Sequence, residues 1–165
     1  MRATSSAMPT RKEVGLKGHY IICGAGRTGQ VIAQMLKEAG KKFVFIDRKG
    51  RSAEDHAEKY TILEGDITDE DTLMRGGLED AAGLFSVVNS DADNLVTVLV
   101  SHDVRPDMPI YARASSNEQI SRVIKAGASH ALSPASACGY ELAAKMLSQD
   151  RWKGYFFAHI RSSQV

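Results

Sequence analysis

Six residues near the start of the chain have the types and spacing to hold a phosphate: Gly24-Ala25-Gly26-Arg27-Thr28-Gly29. In a G-x-G-x-x-G turn the first glycine permits a tight bend off a strand. The second lets the backbone approach a diphosphate, and the third lets the next helix pack closely on the strand. The helix start then offers free N–H groups and a partial positive charge to phosphate oxygens. The motif alone is a weak signal. Here the apolar run Tyr20 to Cys23 precedes it, a helical pattern follows it, and a second apolar run ends in Asp47. Asp47 follows Gly29 at close to the ~20-residue spacing of an acid that hydrogen-bonds ribose hydroxyls. Such an acid favours an adenosine with free hydroxyls and repels a 2′-phosphate. NAD or NADH, or alternatively ATP or ADP, is therefore expected ahead of NADP. Arg48 could instead accept a phosphate beside that acid, and Arg27 could reach one from the turn. A turn that keeps its shape and binds nothing is the alternative.

The elements that must position these residues can be read from periodicity. Tyr20 to Cys23 is a buried strand. Val31, Ile32, Met35 and Leu36 recur at helical spacing, and Gly40 stands where that helix stops. Phe43 to Ile46 is a second strand, Ser52 to Lys59 a short polar helix, and Tyr60 to Leu63 a third strand. Thr68-Asp69-Glu70-Asp71 reads as a helix start, because Thr and Asp cap free N–H groups and acids suit the positive end. Leu84 to Val88 and Pro109 to Ala112 are the fourth and fifth strands, followed by helices over Asp93 to His102 and Asn117 to Ala126. His130 to Leu132 and Ser136 to Ser148 complete the pattern. Apolar strands alternating with amphipathic helices mean parallel βαβ units. The expected fold is α/β, a Rossmann-like doubly wound parallel sheet of six strands in the order 3-2-1-4-5-6, with helices on both faces.

Ligands of such sheets bind outside the carboxyl ends of the strands, near the point where strand order reverses. That rule adds candidates. Asp66 and Ile67 end the third strand and could flank an adenine. Asn89, Ser90 and Asp91 end the fourth, across the crevice from the glycine turn, and Arg113 ends the fifth. Each has a plainer reading: Asp66 as a helix-capping or turn acid, Asn89 to Asp91 as a capping cluster for the next helix, Arg113 as a surface or interface ion pair.

Composition narrows the function. The chain has 165 residues, 43% hydrophobic and 25% charged, the balance of a soluble globular domain. Lys and Arg number 21 against 20 Asp and Glu, so the basic excess of a general nucleic-acid binder is missing. No apolar run approaches the ~20 residues that span a bilayer, so no direct membrane insertion is expected. The first residues lack the apolar centre of a signal peptide. Cys23 and Cys138 cannot make a disulfide framework, which points to a reducing compartment. The histidines, at positions 19, 56, 102, 130 and 159, have no metal-ligand spacing, and no metal is expected. The acids from Asp66 to Asp71 lack the EF-hand spacing. Residues 1–17 read as a flexible arm or linker and 18–150 as the nucleotide-binding unit. Residues 151–165 read as an aromatic tail that packs on a partner or leads to a further subdomain. A Rossmann unit of that extent leaves little chain for a substrate domain, so no catalytic residue is expected. A small NAD-dependent oxidoreductase, or a dimerisation module with an empty site, remains the alternative.

Several of these segments together are similar to one family. The run His19 to Gly29, then Phe45-Ile46-Asp47, then Gly65-Asp66-Ile67-Thr68-Asp69-Glu70-Asp71-Thr72-Leu73, resembles the regulator-of-potassium-conductance (RCK) domain, also called the Trk N-terminal nucleotide-binding domain. Ser90-Asp91-Ala92-Asp93-Asn94, Ala112-Arg113-Ala114, and Ala126-Gly127-Ala128 through Ser133-Pro134 extend the likeness over roughly His19 to Leu147. The resemblance implies a cytoplasmic ligand-sensing domain at the inner face of the membrane, serving a potassium channel or transporter. It implies pairing into dimers or larger rings beneath a pore subunit or fused pore domain, and gating by ligand in the crevice. The family's ligands include NAD, NADH, ATP, ADP and, in some members, calcium. Calcium-responsive members carry acids after the fifth strand. Arg113-Ala114-Ser115-Ser116 stands there, with no acid before Glu118, so the resemblance implies a nucleotide and not calcium. The arm before His19 matches a linker from a pore helix, and the family's C-terminal subdomain is not in this sequence.

Overall fold

The computed structural model describes residues 14–48 and 60–147. The expected polar helix over Ser52 to Lys59 and the aromatic tail from Trp152 lie outside the described residues, as does most of the 1–17 arm. Six strands form one sheet: β1 (Tyr20–Cys23), β2 (Phe43–Asp47), β3 (Ile62–Glu64), β4 (Gly83–Ser86), β5 (Ile110–Arg113) and β6 (His130–Leu132). All pairings are parallel, and the order is β3-β2-β1-β4-β5-β6, as the alternation of strand and helix patterns implies. Among the described residues the α-helices are α1 (Arg27–Glu38), α2 (Glu70–Arg75), α3 (Asp91–Val104), α4 (Asn117–Lys125) and α5 (Pro134–Met146).

The central strand shows why a continuous apolar run is needed. Ile21 and Cys23 point to one face of the sheet and Ile22 to the other, following the twofold alternation of a strand. All three are fully buried. Ile21 and Cys23 join the larger core cluster, with Ile46, Leu73, Leu84, Val98 and Ile110. Ile22 joins Phe45 and Ala33 in a smaller cluster, against which Ile32 and Leu36 of α1 pack. Burying a side chain of this size contributes about 1.5–3 kcal/mol. Val31 and Met35, expected on the same inner stripe of α1, are instead 60% and 66% exposed. The sheet takes up only the Gly29, Ala33, Ile32 and Leu36 side of the helix.

Boundaries shift where side chains take over backbone groups. β4 stops at Ser86 instead of running to Val88, because Asn94 replaces the strand partner of Val88: its side chain accepts the Val88 N–H (3.1 Å) and donates to the Val88 carbonyl (2.9 Å). α3 and α5 each begin two residues before the expected start. Ser90 accepts the Asp93 N–H at 3.1 Å, and Ser133 caps the turn at Pro134, whose fixed φ suits a first helical position. β3 begins at Ile62, with Thr61 contributing only its carbonyl to the Phe45 N–H. Among the described residues no helix is long and apolar enough to cross a membrane.

Candidate functional site

The glycine turn links the end of β1 to the start of α1. Gly24 sits at φ +111°, where L side chains are strained, and its N–H donates to the Ile46 carbonyl at 2.9 Å. Gly29 packs under it so closely that a Cβ there would lie 2.0 Å from the Gly24 carbonyl oxygen. Gly26 differs from both. A Cβ at Gly26 would meet nothing within 4 Å, so this backbone faces open space. Gly26 also caps α1 without any side-chain hydrogen bond, and the N–H groups of the first turn are orphan donors.

Asp47, the last residue of β2, reaches the same turn. Its Oδ2 accepts the Ala25 N–H at 2.5 Å, which fixes the carboxylate beside the glycines. Gln30, in the first turn of α1, donates from Nε2 to the Ala25 carbonyl at 3.0 Å and braces the bend. The opposite wall comes from β4 and β5. Asn94, fully buried, accepts the Ser86 hydroxyl (2.9 Å) and donates to the Arg113 carbonyl (3.0 Å) besides holding Val88. Arg113 Nη1 donates to the Val88 carbonyl at 2.8 Å.

Between these walls lies a cleft of about 730 Å³, within the ~300–1,000 Å³ of small-molecule sites. Gly24, Gly26, Arg27, Thr28 and Asp47 line one side of it, and Asn89 and Arg113 the other. The structure thus brings together seven of the residues singled out from sequence. The rest stand elsewhere. Ala25 is buried and contributes its N–H to Asp47. Gly29 lies beneath the turn. Ser90 caps α3, and Asp91 accepts the Ser115 N–H (2.9 Å) and hydroxyl, bridging α3 to the loop after β5. Ile67 is only 3% exposed, with its side chain in the larger core cluster. Its carbonyl accepts the Thr97 hydroxyl at 3.0 Å, so its side chain is not at hand to flank an adenine. Arg48 and Asp66 pair outside the cleft at 2.9 Å. The Thr68 N–H and hydroxyl, and then Arg48, hold the Asp66 carboxyl below its usual range.

Four further residues line the cleft beyond the sequence candidates: Gln30, Val87, Val88 and Pro134. Val87 and Val88 looked like strand interior. The Asn94 hub was detectable in principle, as a polar residue on the inward face of a helix. Cys23 lies just below the turn, and burial, with a smaller contribution from Asp47, pushes its thiol pKa up. A neutral buried thiol is a core group, not a nucleophile. Among the described residues no three His, Cys, Asp or Glu side chains group as a metal site.

Residues 20–134 match the TrkA-N domain. The chain belongs to the TrkA-N family. Potassium channel protein 1 of Methanocaldococcus jannaschii is 38% identical over 138 residues, 82% of this chain and 41% of that protein. The chain thus spans less than half the length of this relative. The solved GsuK channel bound to NAD superposes with TM-score 0.71 at 27% identity, covering 78% of this chain and 23% of that one. The GsuK structure bound to ADP gives TM-score 0.69 at 28% identity, over 78% of this chain and 34% of that one. The TrkA-N match runs from β1 through the residue that opens α5, and so takes in every strand that contributes to the cleft.

Proposed function

We propose that this TrkA-N domain senses an adenine nucleotide in the β1–β4 cleft and regulates potassium flux through a membrane pore. The observation that carries the reading is the pairing of Gly26, whose backbone faces open space, with Asp47, fixed on the same turn by the Ala25 N–H. A diphosphate fits against Gly26 and the first turn of α1, where orphan N–H groups and the helix dipole favour anions. The adjoining ribose diol donates to the Asp47 carboxylate. Arg27 and Arg113 add positive charge from the two walls. NAD or NADH is the favoured ligand, with ATP or ADP as the alternative; NAD and ADP are the ligands named for the GsuK structures.

Regulation is favoured over catalysis by the chemistry of the lining. Among the described residues its ionisable side chains are Arg27, Asp47 and Arg113, two guanidinium groups and a carboxylate already tied to the Ala25 N–H, which can bind phosphate and hydroxyl groups. The relative in M. jannaschii is a potassium channel protein, which supports a pore as partner and the cytoplasmic face of the membrane as location. In that arrangement residues 18–150 form the sensing unit. Residues 1–17 connect it to the pore, and 151–165 lead to a further subdomain or a partner. Self-association into dimers or rings lets several sites act on one gate.

The test is a thermal-stability titration with NAD, NADH, ADP and ATP at fixed salt. A ligand at ~100 times its Kd stabilises by about 2.7 kcal/mol, which is several degrees at ~2–4 °C per kcal/mol. A selective rise that Asp47→Ala removes is the expected outcome. No rise with any of the four would overturn it.

A further inference from the structure

Arg48 directly follows the acid of the ribose site, in a position from which an arginine can accept a 2′-phosphate. Its guanidinium is instead turned to two other carboxylates. Nη2 lies 2.9 Å from Asp66 Oδ2 and 3.7 Å from Asp93 Oδ2. The Asp66 carboxylate and the Asp93 backbone are each held by a neighbour. Asp66 Oδ1 accepts the Thr68 N–H at 2.9 Å and the Thr68 hydroxyl at 2.7 Å, which sets its carboxylate plane. Asp93 stands in the first turn of α3, its N–H held by the Ser90 cap at 3.1 Å. The end of β2, the loop after β3 and the start of α3 therefore converge on one guanidinium.

We propose that Asp66 and Asp93 withhold Arg48 from the ribose site, so that cofactor selectivity against a 2′-phosphate is set by this ion triad as well as by Asp47. The inference rests on the cleft being an adenine-nucleotide site. With Arg48 hydrogen-bonded to Asp66 and drawn toward Asp93, its guanidinium acts on Asp47 through space and is not the group that Asp47 holds. An incoming 2′-phosphate must then break a charge-assisted pair and approach three carboxylates. Released from the triad, the same arginine is a bidentate phosphate donor on the adjacent residue. The three side chains are partly exposed, so the effect is screened by salt and is strongest at low ionic strength.

The experiment is fluorescence titration of NADH and NADPH into the parent chain, Asp66→Asn, Asp93→Asn and the double variant, at low and high salt. Asp66→Asn keeps an acceptor for Thr68, and the single variants keep the test readable if the double variant does not fold. Both ligands carry the same adenine, so their affinity ratio cancels any contact of Asp66 with the base. The parent is expected to prefer NADH at least tenfold. The double variant is expected to lose about tenfold of that preference, and Arg48→Gln added to it is expected to restore the loss. A ratio within twofold of the parent in all variants overturns the triad and leaves the cleft reading intact. A parent that binds neither dinucleotide overturns this inference, and failure with the adenine mononucleotides as well overturns the cleft itself.

Discussion

Gly26 and Gly29 are two glycines of one turn for which the structure assigns opposite duties, and substituting each separates them. At Gly29 a Cβ would lie 2.0 Å from the Gly24 carbonyl oxygen and 3.3 Å from Ile22 Cγ2. The carbonyl cannot give way cheaply. Gly24 already has φ +111°, and its N–H is tied to Ile46 across the sheet. Overpacking typically costs ~1–3 kcal/mol, and a backbone clash this close falls at or above the upper end. Gly29→Ala should therefore lose about 3 kcal/mol or more, roughly 6–12 °C in Tm at ~2–4 °C per kcal/mol. Gly26 has φ −72° and ψ −172°, open to any residue, and nothing within 4 Å of its Cβ position. Gly26→Val should lose only the glycine N-cap preference, about 1 kcal/mol, or ~2–4 °C. Its isopropyl group would then occupy the space of the diphosphate, and the ligand-dependent rise in Tm should vanish. Differential scanning fluorimetry with and without nucleotide reads both quantities at once. Gly26→Val binding like the parent would refute the placement of the phosphates. Gly29→Ala melting within a degree of the parent would refute the packing argument.

Other outcomes follow from single residues. Asn94→Ala strips partners from Ser86, Val88 and Arg113 together, and should cost about 3 kcal/mol or more in urea denaturation, since each buried unsatisfied group costs ~1–3 kcal/mol; a loss under 1 kcal/mol would contradict its role as hub. Asp69→Ala removes the cap that accepts the Thr72 N–H at 3.1 Å, and should cost about 1 kcal/mol by the same method. Cys23 is buried with a raised pKa, whereas Cys138 is exposed. A thiol reagent at pH 8 should therefore label Cys138 quickly and Cys23 only on unfolding. The raised pKa favours the folded state fully below the unfolded thiol pKa of ~8.5. That contribution falls as pH rises above it, by up to ~1.4 kcal/mol per unit. Replacing Cys23 by Ala should flatten the alkaline decline of Tm, and an unchanged slope would count against this assignment.

The strand order and the glycine turn were legible because both rest on local rules: a continuous apolar run such as Tyr20 to Cys23 belongs in a parallel sheet, and G-x-G-x-x-G belongs between a strand and a helix. Where the fold departs from the local pattern, the cause is physical and common. Val87 and Val88 look like strand to any periodicity argument, yet the Asn94 side chain takes the Val88 backbone pair and ends the ladder. Val31 and Met35 fit the helical stripe of α1, yet the sheet beneath α1 offers no surface for them. Ile67 stands just after the end of β3, but its side chain turns into the core. In each case a contact with a residue distant in sequence decides, and single-sequence patterns carry no record of it. Arg48 is the same problem in charge: its neighbour Asp47 is visible in sequence, while its partners Asp66 and Asp93 are brought to it by the fold.

Arg113 shows how occupancy of the cleft could reach the rest of the domain. Its Nη1 donates to the Val88 carbonyl, which also accepts from Asn94. A carbonyl with two donors can release one without being orphaned, so an anionic ligand can draw Arg113 away at little cost to the fold. The backbone of Arg113 is less free, because its carbonyl is held by Asn94 and the next loop is tied to α3 through Asp91 and Ser115. These bonds connect the Arg113 backbone and the loop after β5 to α3. A ligand shifts a conformational equilibrium only by its differential affinity for the two states, and couplings are typically ~1–3 kcal/mol per site. A hydrogen bond to a charged group contributes ~1.5–3 kcal/mol, so a bond that Arg113 makes to the ligand in only one of the two states is of that size. Arg113→Lys would keep the charge and lose the fork geometry, so it should retain nucleotide binding while weakening any ligand-induced change in protection of α3 from hydrogen exchange. Full retention of that change would place the coupling elsewhere in the cleft wall.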